Sequence, residues 1–125
     1  MTITFSLPWP DRALSPNSRI DRRSSTKIRQ AARDLGFYAA KEALQKNGFP
    51  SYLHGVAGIV VIYSFHAPNM HRYDLDNALS RLKAANDGIA LALGVDDSDW
   101  NAVTLRRGQP VVGGRVDVEI EAIKQ

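Results

Sequence analysis

The feature that most constrains the fold is the stretch of residues 56–65, which is almost entirely apolar and rich in β-branched side chains. This composition is typical of a strand buried on both faces, so we expect it to be the central strand of a sheet. Its length is far below the roughly 20 apolar residues that span a bilayer. Because the first ten residues also lack the pattern of an export signal, the sequence predicts a cytoplasmic protein with no membrane segment.

The rest of the chain divides into three further strands and two helices. Alternation of polar and apolar residues predicts the strands, and apolar positions at helical spacing predict the helices. The predicted strands cover residues 2–7, 102–106 and 115–121, and the predicted helices cover about 25–47 and 78–93. Gly113 and Gly114 can take the positive φ of a hairpin between the last two strands. The order β-α-β-α-β-β predicts a single α+β domain over residues 1–125, with a four-stranded mixed sheet and two helices packed on it.

The first predicted helix has an apolar side and a basic side. Its expected core stripe consists of Ile28, Ala31, Ala32, Leu35, Ala39 and Ala43. Arg29, Arg33 and Lys41 point the other way. This basic face is a candidate for phosphate contacts.

The basic character is concentrated in the first part of the chain. Residues 1–50 carry nine Lys or Arg against four Asp or Glu, whereas residues 51–125 carry seven against nine, within a net charge of +3. This distribution indicates a surface that attracts a polyanion beside a place that gathers carboxylates. A solvated helix face with scattered surface acids would show the same counts.

The absence of cysteine restricts the chemistry. Disulfides, thiol catalysis, cysteine-ligated zinc and iron–sulfur clusters are all excluded. Any metal ion must therefore be held by carboxylates or by His54, His66 and His71.

Carboxylates concentrate in residues 74–77 and 96–99. Asp74 and Asp76 stand two residues apart, and in an extended segment their side chains would project to the same side, close enough to reach around one cation. Mg²⁺ removes the repulsion between two such carboxylates and completes its shell with water and phosphate oxygens. The alternatives are that one of them caps the second helix and that residues 96–99 form a polar turn.

A polar stripe on the second predicted helix adds a positive charge to these acids. At 100° per residue, Asp76, Ser80, Lys83 and Asp87 fall within one narrow sector, apart from the apolar stripe. A lysine beside metal-binding carboxylates could contact the scissile phosphate or stabilise charge in the transition state. The alternative is an ion pair between Lys83 and Asp87 that supports the helix.

These motifs resemble the RusA-type Holliday-junction resolvases, which are small endodeoxyribonucleases of bacteria and their prophages. The resemblance covers most of the chain. Residues 7–10 and 14–17 are similar to the family's first strand and loop, residues 74–77, 83, 87 and 94–97 to its catalytic region, and residues 113–115 to its last hairpin. Each element is short, but their order and spacing in a chain of this length are fairly specific.

The resemblance implies a Mg²⁺-dependent homodimer that resolves four-way DNA junctions by paired symmetric nicks in recombination and repair. By motif position, Asp74, Asp76 and Asp97 would bind Mg²⁺, and Lys83 would be the required lysine. The chain departs from the family pattern here, because that pattern places the lysine four residues after the second aspartate, where this chain has Ser80. Positions four and seven share a helix face, so we assign the role to Lys83.

Basic residues near these motifs are candidates for phosphate contacts that position the junction without reading bases. They are Arg19, Arg22, Arg23, Lys27, Arg29, Arg33, His71 and Arg72. His71 and Arg72 are the strongest, since they immediately precede the aspartates. Two other functions stay open: a metal-dependent nuclease for flaps or other branched DNA, and a branched-DNA-binding module that does not cut.

Overall fold

The structure is a computed structural model that describes residues 2–16, 18–49, 53 and 56–124, so the candidate metal ligand His54 lies outside the described residues. It has the predicted α+β class, with helices packed against a four-stranded mixed sheet. The strands are β1 (Thr2–Pro8), β2 (Val56–His66), β3 (Ala102–Arg107) and β4 (Arg115–Lys124), and the helices are α1 (Arg22–Lys46), α2 (Leu75–Arg81) and α3 (Lys83–Leu93). No helix within these ranges combines the length and apolarity that crossing a membrane requires.

The sheet has the order β1-β4-β2-β3, which leaves β2 in its interior as predicted. β2 pairs with β3 in parallel and with β4 antiparallel, and β4 also pairs antiparallel with β1. The predicted hairpin between the last two strands is therefore wrong, because β2 lies between them. A helical crossover joins β2 to β3 and makes that pair parallel. Gly113 and Gly114 do adopt positive φ (79° and 70°), but they lead the chain into β4, which pairs with the edge of β2 opposite β3.

β2 is buried on one face only. Val61 and Tyr63 are fully buried, whereas Ile62 and Ser64, which point to the opposite face, are half-buried. The prediction of burial on both faces is wrong because the hydrophobic core of the described residues lies between the helices and the first of these faces.

α1 begins with a side-chain cap from Asp21, which accepts a hydrogen bond from the Ser24 backbone N–H at 2.9 Å. The helix therefore starts a few residues earlier than predicted. Its buried positions are Gly36, Ala40, Ala43 and Leu44. The predicted core stripe is wrong in its first part, where Leu35 is 51% exposed and Ala31 is also exposed.

The position of α1 is set by its close crossing with α3. A Cβ atom added to Gly36 would collide with the backbone carbonyl of Ala85, and one added to Gly88 would collide with the backbone of Arg33. The two helices thus meet backbone to backbone, which only glycine allows at these positions. This crossing explains why the buried line of α1 runs through Gly36 and not through Leu35.

The second predicted helix is divided in two at Leu82. This residue is buried and has φ −88° and ψ 0°, so α2 ends before it and α3 begins after it. Gly94 ends α3 in the left-handed conformation (φ 72°), as predicted for the helix stop.

Candidate active site and nucleic-acid interface

Asp74 and Asp76 lie at the N-terminal end of α2, shortly after the end of β2. Asp74 has an extended backbone (φ −93°, ψ 140°) and is the N-cap residue, yet its side chain caps no backbone N–H. Its Oδ2 accepts a long hydrogen bond of 3.4 Å from the Asn77 side chain. Asp76 already belongs to the first helical turn, so the geometry expected for two carboxylates in an extended segment does not apply. Both side chains are exposed.

A depression of about 330 Å³ adjoins Asp74. It is lined by Trp9, Arg72, Tyr73, Asp74, Asn77, Ala78 and Arg81. Of the two strongest phosphate-contact candidates, Arg72 lines this depression, and His71 is exposed just before it.

The segment that leads into Asp74 is held in place by aromatic packing. The Tyr73 ring meets the Trp9 ring edge to face at 5.3 Å. The Arg107 guanidinium lies 4.3 Å from the centre of the Tyr73 ring and donates a 3.1 Å hydrogen bond to the Tyr73 carbonyl oxygen. These contacts fix the backbone immediately before the carboxylates.

A groove of about 550 Å³ runs between α1 and the α2–α3 junction. Its polar lining includes Thr26, Arg29, Gln30, Arg33, Ser80, Arg81, Lys83 and Asp87. The structure thus brings Lys83 together with two of the predicted phosphate contacts, Arg29 and Arg33. Asp76 is not part of this lining, so the predicted polar stripe contributes only its last three members to the groove.

Lys83 is not tied to a carboxylate. Among the described residues, ion pairs join Lys46 to Glu42 and join Asp117 to His66 and Arg115, and none joins Lys83 to Asp87. The helix-supporting ion pair considered for Lys83 is therefore absent from the described part of the chain. Its ammonium group is available to an anion in the groove.

The other predicted basic contacts lie outside this groove and the depression beside Asp74. Arg22, Arg23 and Lys27 are exposed on the first turns of α1, and Arg19 is exposed in the segment before it. None of the four lines either feature.

Asp97 lies in a single 3₁₀ turn, Asp97–Asp99, that follows α3. Together with Arg33 and Asp87 it lines a further depression, of about 450 Å³, at that end of the helix. The neighbouring Asp96 stabilises the polar turn, because it accepts hydrogen bonds from the Ser98 backbone N–H (2.9 Å) and hydroxyl (2.7 Å). These hydrogen bonds lower the pKa of Asp96.

Tyr63 links the sheet to the first turn of α3. Its hydroxyl donates a hydrogen bond to Oδ1 of Asn86. Burial raises the pKa of Tyr63, and the negative charge of Asp97 raises it further. Asp97 is therefore close to the buried Tyr63 hydroxyl.

The structure does not bring the three aspartates together. Asp74 and Asp76 lie at the start of α2, whereas Asp97 lies in the turn after α3 and shares its depression with Asp87. Within the described ranges, no group of three or more His, Asp or Glu side chains is placed to hold a metal ion.

The two candidate histidines among the described residues, His66 and His71, make contacts with other groups. His66 is on the sheet, where its Nε2 lies 3.2 Å from Oδ2 of Asp117 and its Nδ1 lies 2.8 Å from the Gln109 carbonyl oxygen. His71 is exposed and takes part in a turn in which its backbone N–H donates to the Asn69 side chain.

Sequence reasoning missed Arg81. This residue lines both the depression beside Asp74 and the groove that contains Lys83. A signal was present in its spacing, because Arg81 follows Asn77 by four residues and therefore lies on the same side of α2.

Comparison with known proteins finds a relative of similar sequence. A scan against protein-family models finds no match. A protein of Xylella fastidiosa (strain Temecula1 / ATCC 700964), described as an uncharacterized protein, is 33% identical over 123 residues, which cover 98% of this chain and 78% of the relative. The chain belongs to the same family as this Xylella protein. Since that description names no activity, the function has to be argued from the site.

Proposed function

We propose that the protein is a Mg²⁺-dependent endonuclease for branched DNA, with four-way junctions as the substrate that the resemblance to RusA-type resolvases indicates. One observation carries the proposal. Two exposed carboxylates, Asp74 and Asp76, stand at the start of α2 without a cationic partner among the described residues, and α2 leads into a groove lined by basic side chains. Acids beside a phosphate-binding surface are unfavourable for DNA binding alone, because they repel phosphate, but they suit a metal-assisted hydrolase.

Asp74 and Asp76 fit the ligand chemistry of Mg²⁺. This ion takes one or two carboxylates from a protein and keeps the rest of its shell for water and substrate phosphate oxygens. Bound there, it would polarise the phosphodiester and lower the pKa of a coordinated water. The assignment of Asp97 as a third ligand remains a prediction from the resemblance.

The basic side chains have separate tasks in this proposal. Arg29 and Arg33 of the groove hold the DNA backbone through phosphate contacts that carry no sequence information. Arg72 holds it on the other side, next to Asp74. Lys83 places a positive charge where negative charge increases during hydrolysis.

Paired cutting of a four-way junction needs two active sites. The junction has two-fold symmetry, and a homodimer with a two-fold axis is the simplest arrangement that presents two identical sites to it. We therefore propose that the protein acts as a homodimer.

One observation favours a second candidate, a branched-DNA-binding module that does not cut. The three aspartates are not gathered in the described residues, and a protein that only binds DNA needs no such group. In this case Asp74 and Asp76 would only begin α2, and the basic groove would carry the function.

A single experiment separates these functions. The purified protein is incubated with a synthetic four-way junction, a fork, a flap and a linear duplex, each with and without Mg²⁺. Mg²⁺-dependent cutting of the junction in preference to the others supports the proposal. Equal cutting of flap or fork indicates a nuclease for branched DNA in general, and binding without cutting indicates the binding module.

A further inference from the structure

Arg81 has surroundings that the proposed function does not yet explain. In the described part of the chain, its Nε is the single buried side-chain nitrogen or oxygen that has no hydrogen-bond partner. Its guanidinium forms no ion pair with any described carboxylate. The residue as a whole is half-buried. A buried donor without a partner is costly, because its hydration is lost without replacement.

The position of Arg81 indicates which kind of ligand its unpaired guanidinium could bind. The side chain lies between the depression beside Asp74 and the groove that contains Lys83, and it lines both. It also borders an apolar pocket of about 290 Å³, to which Trp9, Leu14 and Leu82 contribute. Apolar walls exclude water from the arginine stem and strengthen the attraction between its guanidinium and an anion.

A phosphate group matches these requirements. The guanidinium presents donors in a planar fork that a phosphate can accept with two oxygens at once. A single carboxylate would fit the fork equally well, but the two features that Arg81 lines also contain Arg72, Arg29 and Arg33, and this row of positive charges suits the repeated phosphates of a nucleic-acid backbone.

We propose that Arg81 binds the DNA phosphate that lies beside Asp74 and acts together with Lys83, which contributes its charge from the adjoining groove. The inference rests on the proposed function and deepens it, because it assigns a phosphate-binding residue to the active site. Arg81 then supplies a positive charge on the Asp74 side, in addition to that of Lys83 in the groove.

The test measures DNA binding without metal, so that it does not depend on cutting. Dissociation constants for a four-way junction are measured in EDTA over a series of salt concentrations for the wild type, Arg81→Met and Arg81→Lys. Arg81→Met keeps an apolar stem and removes the charge. We expect its Kd to rise roughly 10-fold and the slope of log K against log salt to become shallower by about one.

Arg81→Lys and a further variant, Lys46→Met, serve as controls. Arg81→Lys keeps the charge but not the fork, so the salt slope should stay near that of the wild type while the Kd rises less than in Arg81→Met. If Arg81→Met does not fold, Arg81→Lys still tests the inference, since an unchanged Kd in that variant contradicts a two-oxygen contact. Lys46→Met removes a charge from the far end of α1, where Lys46 pairs with Glu42, and should leave both quantities unchanged.

The outcomes distinguish this inference from the proposed function. A lower melting temperature for Arg81→Met with an unchanged Kd and salt slope would show a purely structural role and overturn the inference. A wild type that binds junctions but cuts no DNA in Mg²⁺ overturns the nuclease proposal, while the binding data still decide the role of Arg81. A wild type that binds no DNA overturns both.

Discussion

Lys83 is free of ion pairs with any described carboxylate and shares its groove with Arg29 and Arg33, which favours a role at the DNA backbone. We predict that Lys83→Ala lowers the rate of junction cutting by on the order of 10² or more, the scale seen when a positioned charge-stabilising donor is lost. Single-turnover kinetics in Mg²⁺ measures this. The melting temperature should change little, since no ion pair is lost.

The shifted position of this lysine has its own test. Ser80 lines the same groove as Lys83, so a lysine at position 80 should reach the same phosphates. We predict that the double variant Ser80→Lys with Lys83→Ala recovers part of the lost rate. Full activity in Lys83→Ala alone would exclude the residue from the site, and no recovery in the double variant would refute the shared-groove argument.

Tyr63 is a residue whose contribution is to stability. Its hydroxyl is buried and donates to Asn86, so Tyr63→Phe leaves the Asn86 side chain without that donor. We predict a loss of about 1–2 kcal/mol in the free energy of unfolding, measured by urea denaturation. Tyr38→Phe, at a position that is 64% exposed, should be nearly neutral.

The same residue predicts a pH dependence. Burial raises the pKa of Tyr63 in the folded chain, so its stabilising effect is complete below a pH of about 10 and is lost as the pH rises further. The stability difference between wild type and Tyr63→Phe should therefore shrink in alkaline solution. A difference that stays constant up to pH 11 would contradict this assignment.

Among the elements, the crossing of α1 and α3 determines where the basic groove lies. Gly88 meets the backbone of Arg33 there, and an added methyl group has no space. Alanine favours a helix by up to about 1 kcal/mol over glycine, so a neutral site would gain stability. We predict instead that Gly88→Ala lowers the free energy of unfolding by about 1–3 kcal/mol, as overpacking does. Gln45→Ala, at an exposed position of α1, is the control and should change it by less than about 0.5 kcal/mol.

The elements show which parts of the fold can be predicted from sequence. The apolar run of β2, the alternation of β4 and the stop at Gly94 are local signals, and each corresponds to an observed element. The pairing of β4 with β2 and the division of the second helix at Leu82 depend on tertiary contacts, which leave no periodic pattern. The first part of the predicted α1 core stripe is wrong for the same reason, since the buried line there runs through Gly36 and a glycine carries no apolar signal.

In the candidate site, too, local motifs could be predicted from the sequence, whereas features set by tertiary packing could not. Asp74 and Asp76 follow from the short motif around them, and Lys83 follows from helical spacing. That Asp97 does not join them in one metal-holding group among the described residues could not be predicted, because it depends on how the segment after α3 packs. Arg81 was missed because the burial of its Nε is a property of the packed structure.

For the whole molecule, the basic first part of the chain should govern affinity for DNA. Its groove residues Arg29 and Arg33, together with Lys83 and Arg72, offer several phosphate contacts, and each releases counterions on binding. We predict that junction affinity falls on the order of 10²-fold between about 50 and 200 mM salt. Fluorescence anisotropy with a labelled junction measures this, and a flat response would mean that the basic surface is only solvated.

The central claim is that Asp74 and Asp76 hold the Mg²⁺ with which the protein cuts branched DNA. The most direct measurement compares wild type, Asp76→Asn and the control Asp34→Asn in binding and cutting of a four-way junction in Mg²⁺. Asp34 is an exposed residue of α1 that accepts a hydrogen bond from Gln30. We predict that Asp76→Asn abolishes cutting and binds the junction as well as or better than wild type, because it loses a metal ligand and a charge that repels phosphate. Wild-type cutting by a folded Asp76→Asn protein would contradict the claim.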